Sequence, residues 1–244
     1  MGIIPARMNS EEVHAKVLID LGGKPVIQHV YERATASDVL DEVWVAADHV
    51  SIVDAAQAFG AATYLTRLDH VCGTDRVAEA VREVCPDAEI VVNIQADEPF
   101  LHPAMIAQVI EPLREEGAWD GATLCCRCAD EAAREFPFTV KVVRSSLTGQ
   151  ALYFSRAVIP YPRYPESTHY DQHIGVYAYR RPQLERFAQA GPTALELAEG
   201  LEQLRALEAG LRIKVVETVL PYARISIDTE QDIEQAREWL RRHQ

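Results

Sequence analysis

A cluster of polar side chains follows an apolar run near the middle of the chain, in the segment Asn93-Ile94-Gln95-Ala96-Asp97-Glu98-Pro99. The apolar residues before it have the composition of a buried β-strand, and Pro99 stops that strand. In an open α/β sheet, ligands bind outside the carboxyl ends of the strands. A carboxylate placed there is suited to holding a metal ion against a phosphate, so Asp97 is the first candidate for chemistry. The alternative is a polar turn that begins the next helix.

A second candidate segment lies at the N-terminus, where a short apolar strand near 2–5 leads into a loop with Arg7, Ser10 and Lys16. Polyphosphate binding requires positive charge together with main-chain N–H donors. We therefore interpret this loop as a candidate triphosphate-binding loop. For each basic residue the alternative is an ordinary solvated surface position.

The third candidate segment is His70-Val71-Cys72-Gly73-Thr74-Asp75-Arg76, which precedes a helical pattern. Gly73 allows the backbone to approach a ligand closely, and Thr74 or Asp75 is suited to capping the helix. Arg76 could reach a base or a phosphate. Each of the three segments is a weak signal alone, but their order across one α/β half favours a nucleotide-binding enzyme.

With these segments in place, the chain resembles the bacterial 3-deoxy-manno-octulosonate (Kdo) cytidylyltransferases, also called CMP-Kdo synthetases. The resemblance covers nearly the whole chain, and two of its segments are especially specific: Tyr153-Phe154-Ser155-Arg156 and Leu201-Glu202-Gln203-Leu204-Arg205. Its other main segments are Ile3–Arg7, Gly22–Pro25, Cys72–Arg76, Gln95–Pro99, His173–Tyr177 and Ile227–Thr229.

The resemblance implies transfer of CMP from CTP to the anomeric hydroxyl of Kdo, with release of pyrophosphate, for lipopolysaccharide biosynthesis. It also implies Mg²⁺ as the cofactor, with Asp97 and Asp228 as its ligands. Asp228 is a candidate because Ser226 to Thr229 is predicted to end another strand before a helix. The alternative for Asp228 is a helix N-cap beside Thr229.

The resemblance assigns further residues to the two substrates. Lys16, Asp97 and Asp228 are the predicted catalytic residues. The predicted nucleotide-binding residues are Pro5, Arg7, Lys16, Cys72, Gly73 and Arg76. The predicted Kdo-binding residues are Gln95, Arg156, His173, Tyr177 and Glu202. Structural alternatives are a core histidine for His173, a half-buried aromatic for Tyr177 and a surface ion pair for Glu202.

Several positions depart from the family pattern. Glu12 stands where the family loop has its second arginine, and the glycine and both prolines of that loop are replaced. This reversed charge predicts weak CTP binding. Ala96 replaces a glycine, and Phe138 replaces an asparagine beside the predicted sugar pocket.

Two alternative functions follow from these departures: a cytidylyltransferase for another 2-keto sugar acid, and a catalytically weakened relative with a binding role.

Apolar strands alternate with helical patterns over the first half of the chain. Strands are predicted near 2–5, 43–47, 62–65, 89–94 and 121–127, and helices near 25–36, 50–58, 74–84 and 103–115. The pattern predicts an α/β fold, a mostly parallel sheet with helices on both faces. After it we expect a hairpin of 141–143 with 151–154, a loop or lid at 160–172, a strand at 173–179, a helix at 193–209, a strand at 213–218 and a helix at 229–242.

The resemblance implies that the chain has a Rossmann-like nucleotidyltransferase fold, with a smaller β-rich part for sugar binding and dimerisation. We expect a single domain over 1–244, with a CTP-binding part at about 1–128, a sugar-binding and dimerisation part at about 129–215, and a C-terminal strand and helix at about 216–244. The resemblance also implies a homodimer.

Composition limits the other possibilities. A formal net charge of -13 argues against nucleic-acid binding, which depends on a basic surface. The sequence contains neither a run of about 20 apolar residues nor a signal sequence, so we expect a cytoplasmic protein that does not bind membranes. The five cysteines lack the paired spacing of a zinc site and are predicted to be reduced thiols.

Overall fold

The computed structural model of the protein describes residues 1–9, 13–114, 117–128, 131–164, 166 and 168–243. The chain forms two compact units: Met1–Ala107 with Leu220–Gln244, and Gln108–Val219. The functional parts predicted from the sequence stay predictions. Glu12 and Pro165 lie outside the described residues.

The described part of the first unit contains a parallel sheet with the strand order β3-β2-β1-β4. Its strands are β1 (Gly2–Ala6), β2 (Val43–Ala47), β3 (Ala62–Leu65) and β4 (Ile90–Ile94). The helices after these strands are α1 (Val26–Thr35), α2 (Val50–Ala58), α3 (Gly73–Val84) and α4 (Pro103–Ile110), and α4 contains the boundary between the units. Every residue of β1 is buried, so both faces of this central strand are covered, as its continuous apolar run predicts.

The C-terminal segment of the chain completes the first unit with helix α9 (Glu230–His243). Apolar residues of α9 and of the segment before it share one core cluster with residues from the first hundred positions. Its buried members are Leu21, Val26, Phe100, Ile225, Ile227, Ile233 and Ala236. The rings of Phe100 and Trp239 lie 4.3 Å apart at their centroids. This cluster fixes the chain before α9 next to the turn that follows β4.

In the second unit, β5 (Gly121–Arg127) pairs antiparallel with β8 (Asp171–Arg180) and parallel with β9 (Ile213–Glu217). The predicted hairpin is confirmed: β6 (Lys141–Arg144) pairs antiparallel with β7 (Ala151–Ser155), and β6 also pairs with β8. The helices of this unit are α5 (Glu131–Glu135), α6 (Arg181–Ala190), α7 (Ala194–Glu199) and α8 (Gln203–Glu208).

The predicted alternation of strands and helices over the first half of the chain is confirmed. Two predictions are wrong, and one helix was missed. The single helix at 193–209 is two helices, because Gly200 has a left-handed conformation with φ 62° that ends α7. Helix α6 was not predicted. No strand is assigned at Ser226 to Thr229; that segment is irregular, and the N–H of Ile227 donates to the Asp97 carbonyl at 2.9 Å.

Two smaller corrections concern the predicted helix at 103–115 and the predicted lid. The α-helix ends at Ile110 and continues as a 3-10 turn over Glu111–Leu113, where Pro112 removes a main-chain N–H. The described residues before β8 are irregular, as predicted, but β8 begins at Asp171, inside the predicted lid. Within the described residues, no helix has both the length and the apolar character needed to cross a bilayer.

Candidate active site

Lys16 joins the two carboxylates that the sequence predicts as metal ligands. Its Nζ lies 2.8 Å from Asp97 Oδ2 and 3.1 Å from Asp228 Oδ1. The three side chains are 15%, 22% and 27% exposed, so they are shielded from solvent without being sealed from it. The structure therefore brings together all three predicted catalytic residues.

The turn after β4 separates the roles of its two acidic residues. Asp97 turns its carboxylate toward Lys16, whereas Glu98 is buried and accepts hydrogen bonds from the Tyr222 hydroxyl at 2.9 and 3.1 Å. The Glu98 N–H donates to the Gln95 carbonyl at 3.2 Å and closes the turn. Glu98 thus anchors the turn to the C-terminal segment, while Asp97 is left to face the site.

Asp228 lies just before α9, where a helix cap was the alternative role for its carboxylate. The cap is made instead by Thr229 and Asp232. Asp232 Oδ2 accepts from the N–H of Thr229 at 2.7 Å, and Thr229 Oγ1 accepts from the N–H of Asp232 at 3.3 Å. Asp232 Oδ2 also accepts from the Asp228 main-chain N–H at 3.1 Å. The reciprocal cap therefore fixes the Asp228 backbone and leaves its side chain with Lys16.

Electrostatics keep Lys16 positively charged. Burial lowers the pKa of Lys16, but Asp97 and Asp228 together raise it more, and the net pKa lies above its usual value. Burial and the nearby Asp97 carboxylate raise the pKa of Asp228, and Lys16 opposes that rise. Lys16 therefore offsets the repulsion between the two carboxylates that contact it.

The donor set fits a magnesium ion. Two carboxylate oxygens already converge on one cationic atom, and Mg²⁺ is commonly held by one or two carboxylates, with phosphate and water oxygens as its other ligands. Among the described residues there is no group of three or more His, Cys, Asp or Glu that could hold a metal. The donors therefore suit a cation that is bound together with a phosphate substrate.

Pro5, Gly73 and Gln95 meet at the carboxyl ends of the first unit's strands. A Cβ built on Gly73 would lie 3.3 Å from Pro5 Cγ and 3.6 Å from the Gln95 side-chain amide. Gly73 begins α3 next to the buried Cys72, whose Sγ donates to Asp75 Oδ2 at 3.3 Å. Because Gly73 has no Cβ, the space between it, Pro5 and Gln95 stays open, as the predicted close approach of a ligand requires.

Arg76 was predicted to contact the nucleotide, but its side chain is 0% exposed. Its Nη1 donates to the Arg67 carbonyl at 3.0 Å and to Thr66 Oγ1, and its Nη2 lies 3.5 Å from Asp48 Oδ2. Burial lowers the pKa of Arg76. In this structure the guanidinium joins the loop after β3 to the end of β2, and its contact with a nucleotide stays a prediction.

Asp48 is a residue that the sequence analysis did not include in the site. Its Oδ1 accepts from the N–H of Met8 at 2.8 Å, and its own N–H donates to the Ala6 carbonyl at 3.2 Å. These bonds hold the chain on both sides of the exposed Arg7. Its position directly after the apolar strand 43–47 was the available signal, because strand ends on one edge of a parallel sheet lie side by side.

Of the predicted Kdo-binding residues, only Gln95 belongs to the first unit; the others lie in the second. Arg156 donates to three main-chain carbonyls: Nε to Glu199 at 2.8 Å, Nη1 to Pro137 at 3.2 Å and Nη2 to Gly200 at 3.3 Å. Two of these carbonyls are at the end of α7, so Arg156 caps that helix. Its Cζ also lies 6.0 Å from the ring centre of Phe138.

His173 is buried in the second unit among Thr123, Phe154 and Tyr177. Burial lowers the pKa of His173 to about 3, so the ring is neutral. Thr123 Oγ1 donates to the Val176 carbonyl at 2.8 Å, so it accepts from His173 Nε2, which lies 3.0 Å away. This placement matches the core-histidine alternative. Tyr177 is also buried, and Glu202 is a half-buried residue at the start of α8.

Comparison with known proteins identifies close relatives. A family model described as "Cytidylyltransferase" matches residues 1–213. The chain is 45% identical to the 3-deoxy-manno-octulosonate cytidylyltransferase of Escherichia coli over 215 residues, 88% of this chain and 86% of the relative. It is 45% identical to the Geobacter sulfurreducens protein of the same name, covering 98% of each. A solved CMP:2-keto-3-deoxy-manno-octonic acid synthetase complexed with CTP has a TM-score of 0.91 and 41% identity, covering 100% of this chain and 98% of that one.

Proposed function

The chain belongs to the cytidylyltransferase family, and we propose that it transfers CMP from CTP to the anomeric hydroxyl of Kdo, releasing pyrophosphate. Near-full-length relatives named for this reaction support the proposal, as does the fold shared with a synthetase complexed with CTP. The structural observation that carries it is the convergence of Lys16, Asp97 and Asp228 on one point.

The reaction forms one bond and breaks another at the same phosphorus. The anomeric oxygen of Kdo bonds to the α-phosphorus, the bond from that phosphorus to the oxygen bridging to the β-phosphate breaks so that pyrophosphate leaves, and the hydroxyl proton is released to solvent. Such a step requires alignment and charge neutralisation more than covalent catalysis. The chain must therefore supply fixed positive charge for the phosphates and fixed polar groups for the sugar.

In this proposal Asp97 and Asp228 hold Mg²⁺. When bound, the ion would neutralise phosphate charge and favour ionisation of the sugar hydroxyl. Lys16 and Arg7 supply positive charge to the triphosphate and the leaving pyrophosphate. Asp48 holds the backbone around Arg7 through its bond to Met8. Gly73, beside Pro5 and Gln95, keeps the edge of the sheet open for the nucleoside.

On the sugar side, Arg156 is proposed to meet the carboxylate of Kdo. Three of its N–H groups are used by main-chain carbonyls, which fixes the guanidinium in one orientation. A fixed guanidinium loses less conformational freedom when it binds a carboxylate. Gln95, Tyr177 and Glu202 stay proposed Kdo contacts, while His173 would act from a buried position by ordering the residues around it.

The alternative functions are not favoured. The relatives named above carry the Kdo name, which speaks against another 2-keto sugar acid. A silent binding protein would not need a lysine held between two carboxylates, one after β4 and one before α9. The role in lipopolysaccharide biosynthesis, the homodimer and the cytoplasmic location implied by the resemblance belong to this proposal as predictions.

A substrate panel tests the proposed function. Pyrophosphate release is measured with CTP, UTP, ATP and GTP against Kdo, and with CTP against other 2-keto sugar acids. We expect release with CTP and Kdo to exceed every other combination. Faster release with another sugar acid would contradict the Kdo assignment, and no release with any pair would contradict the transferase activity.

A further inference from the structure

The ammonium of Lys16 contacts the same two carboxylates that the proposed function gives to the metal. We propose that Lys16 is the resident counter-ion of this site: it holds Asp97 and Asp228 together when no divalent cation is bound, and it leaves them when the cation binds. The inference rests on the proposed metal-binding role of the two aspartates. It adds to that role an exchange on the same two carboxylates between the Lys16 ammonium and the divalent cation.

The exchange follows from geometry. Lys16 Nζ lies 2.8 and 3.1 Å from the two carboxylate oxygens, and Mg²⁺ binds oxygens at about 2.0–2.1 Å. A divalent ion on these oxygens would be in contact with the ammonium, with no room for a shielding water between the two positive centres. Because like charges in contact repel strongly, the two cations exclude each other.

Charge balance gives the exchange a direction. Asp97 and Asp228 carry two negative charges, and Lys16 neutralises only one of them. A divalent cation neutralises both. The displaced ammonium then requires a new anionic partner, and the triphosphate is the substrate group that provides one. Lys16 would thus be released to the phosphates only when the cation is in place.

The local backbone allows the side chain to move while its base stays fixed. Lys16 begins a 3-10 turn, Lys16–Leu18, whose middle residue Val17 is buried. The N–H of Leu18 donates to the Ala15 carbonyl, and the N–H of Ala15 donates to the Met8 carbonyl, both at 2.8 Å. The four-carbon stem of lysine supplies the freedom to move the charge without moving this turn.

Manganese binding in the absence of nucleotide tests the exchange. Free Mn²⁺ is measured by electron paramagnetic resonance for the wild type, Lys16→Met and Lys24→Met. Lys24 is the matched control, because its Nζ pairs with Glu32 at 2.7 Å on an exposed surface. We expect Lys16→Met to bind Mn²⁺ about tenfold more tightly or better, and Lys24→Met to match the wild type. Unchanged or weaker binding by Lys16→Met would overturn the proposal.

Two further measurements make the test independent of that variant's stability and of catalysis. The tighter Mn²⁺ site must be lost when Asp97→Asn is added to Lys16→Met; its persistence would overturn the proposal. In the wild type, the acetylation rates of Lys16 and Lys24 are measured by mass spectrometry with and without Mg²⁺. Mg²⁺ should speed acetylation of Lys16 several-fold and leave the acetylation rate of Lys24 unchanged. Slower or unchanged acetylation would contradict the exchange. Neither CTP nor Kdo is present, so failure here is distinguishable from failure of the transferase assignment.

Discussion

The main-chain N–H of Ile227 donates to the main-chain carbonyl of Asp97 at 2.9 Å. This bond joins the turn after β4 to the residue before Asp228, so the backbone itself sets the two aspartates side by side. The buried cluster that includes Phe100 and Ile227 packs around the same junction. The main chain and the core therefore determine where the two aspartates lie, and both side chains contact Lys16.

Asp97→Asn and Asp228→Asn should each abolish most activity without unfolding the protein. The amide is a much poorer Mg²⁺ ligand than the carboxylate, and loss of several kcal/mol of transition-state stabilisation lowers kcat by at least about a hundredfold. Thermal unfolding should change little, since the main-chain bond of Asp97 is retained. Steady-state kinetics measures kcat, and calorimetry measures thermal unfolding.

The control for these variants is Glu32→Gln, which removes an exposed carboxylate paired with Lys24. We expect it to retain wild-type kcat, because Glu32 is not one of the proposed site residues. Its thermal unfolding should also change little, because exposed ion pairs contribute at most about 1 kcal/mol to stability. Near-wild-type turnover in either aspartate variant would remove that residue from the metal site.

Arg156→Ala should weaken Kdo binding by about 2–4 kcal/mol, the order expected for truncating one partner of a buried charged pair, with little change in the affinity for CTP. The same change removes the cap on the end of α7, so some loss of stability accompanies it. The KM for each substrate separates the two effects. Equal losses for CTP and Kdo would indicate that Arg156 has only a structural role.

How much of the site could be predicted depends on the residue. Asp97 follows a continuous apolar run, so its place at a strand end is a local property of the sequence. Its contact with Lys16 spans 81 residues and depends on the 3-10 turn at Lys16–Leu18, which has no sequence signature. Arg76 is buried, and the sequence could have indicated this, because Ala80, one turn later on the same face of α3, is apolar and also buried.

His173 should make stability depend on pH. Its pKa in the folded protein is lowered to about 3, below its usual 6.5, because the ring is buried. Protons therefore bind preferentially to the unfolded chain, and stability that is fully present above pH 6.5 is lost as the pH falls toward 3. Between about pH 7 and 5.5 we expect His173 to account for a loss of about 1 kcal/mol.

Urea unfolding at both pH values measures this effect in the wild type and in His173→Gln. The free energy of unfolding of His173→Gln should fall by about 1 kcal/mol less than that of the wild type between these two pH values. His243→Gln, at the exposed end of α9, is the control and should behave as the wild type. An identical pH dependence in His173→Gln and wild type would show that the ring is accessible to protons in the folded protein.

Ala15→Gly should stabilise the protein. Ala15 has φ 52°, in the left-handed region, where a residue with a Cβ is strained by about 1–2 kcal/mol. Ala15 stands where the loop of the resembled family has its glycine, and glycine adopts a left-handed φ without this strain. Because glycine also loses more backbone entropy, the net gain in unfolding free energy should be about 0.5–1 kcal/mol. Denaturant unfolding checks it.

The matched control is Ala55→Gly in the interior of α2, where the same substitution should destabilise by about 1 kcal/mol. Opposite signs at Ala15 and Ala55 would establish that backbone conformation causes the effect. A loss of stability at both positions would contradict the left-handed strain at Ala15.

The second unit was less predictable than the first, for local reasons. Gly200 divides the region 193–209 into two helices, but a glycine inside a helical pattern is ambiguous without knowledge of its φ angle. Helix α6 begins at Arg181-Pro182, where proline in the first turn is a helix start signal, but proline also marks turns and loops. By contrast, the turn residues Ser145 to Gly149 between the runs 141–143 and 151–154 predicted the β6–β7 hairpin correctly.

Glu12→Arg should raise kcat/KM for CTP and leave the KM for Kdo nearly unchanged. This prediction rests on the sequence, because Glu12 lies outside the described residues. A carboxylate about 4 Å from a phosphate charge opposes binding by about 4 kcal/mol at an effective dielectric near 20, and by less with screening. Steady-state kinetics decides it. Unchanged or lower efficiency with CTP would mean that Glu12 does not meet the triphosphate.

Phosphorus NMR of the wild-type protein with CTP, Kdo and Mg²⁺ tests the central claim most directly. The account predicts that a new phosphodiester resonance of CMP-Kdo grows in step with pyrophosphate, one for one, and that both form at least about a hundredfold more slowly when Asp97→Asn replaces the wild type. Release of orthophosphate, or pyrophosphate with CMP but without the phosphodiester, would contradict transfer of CMP to the sugar.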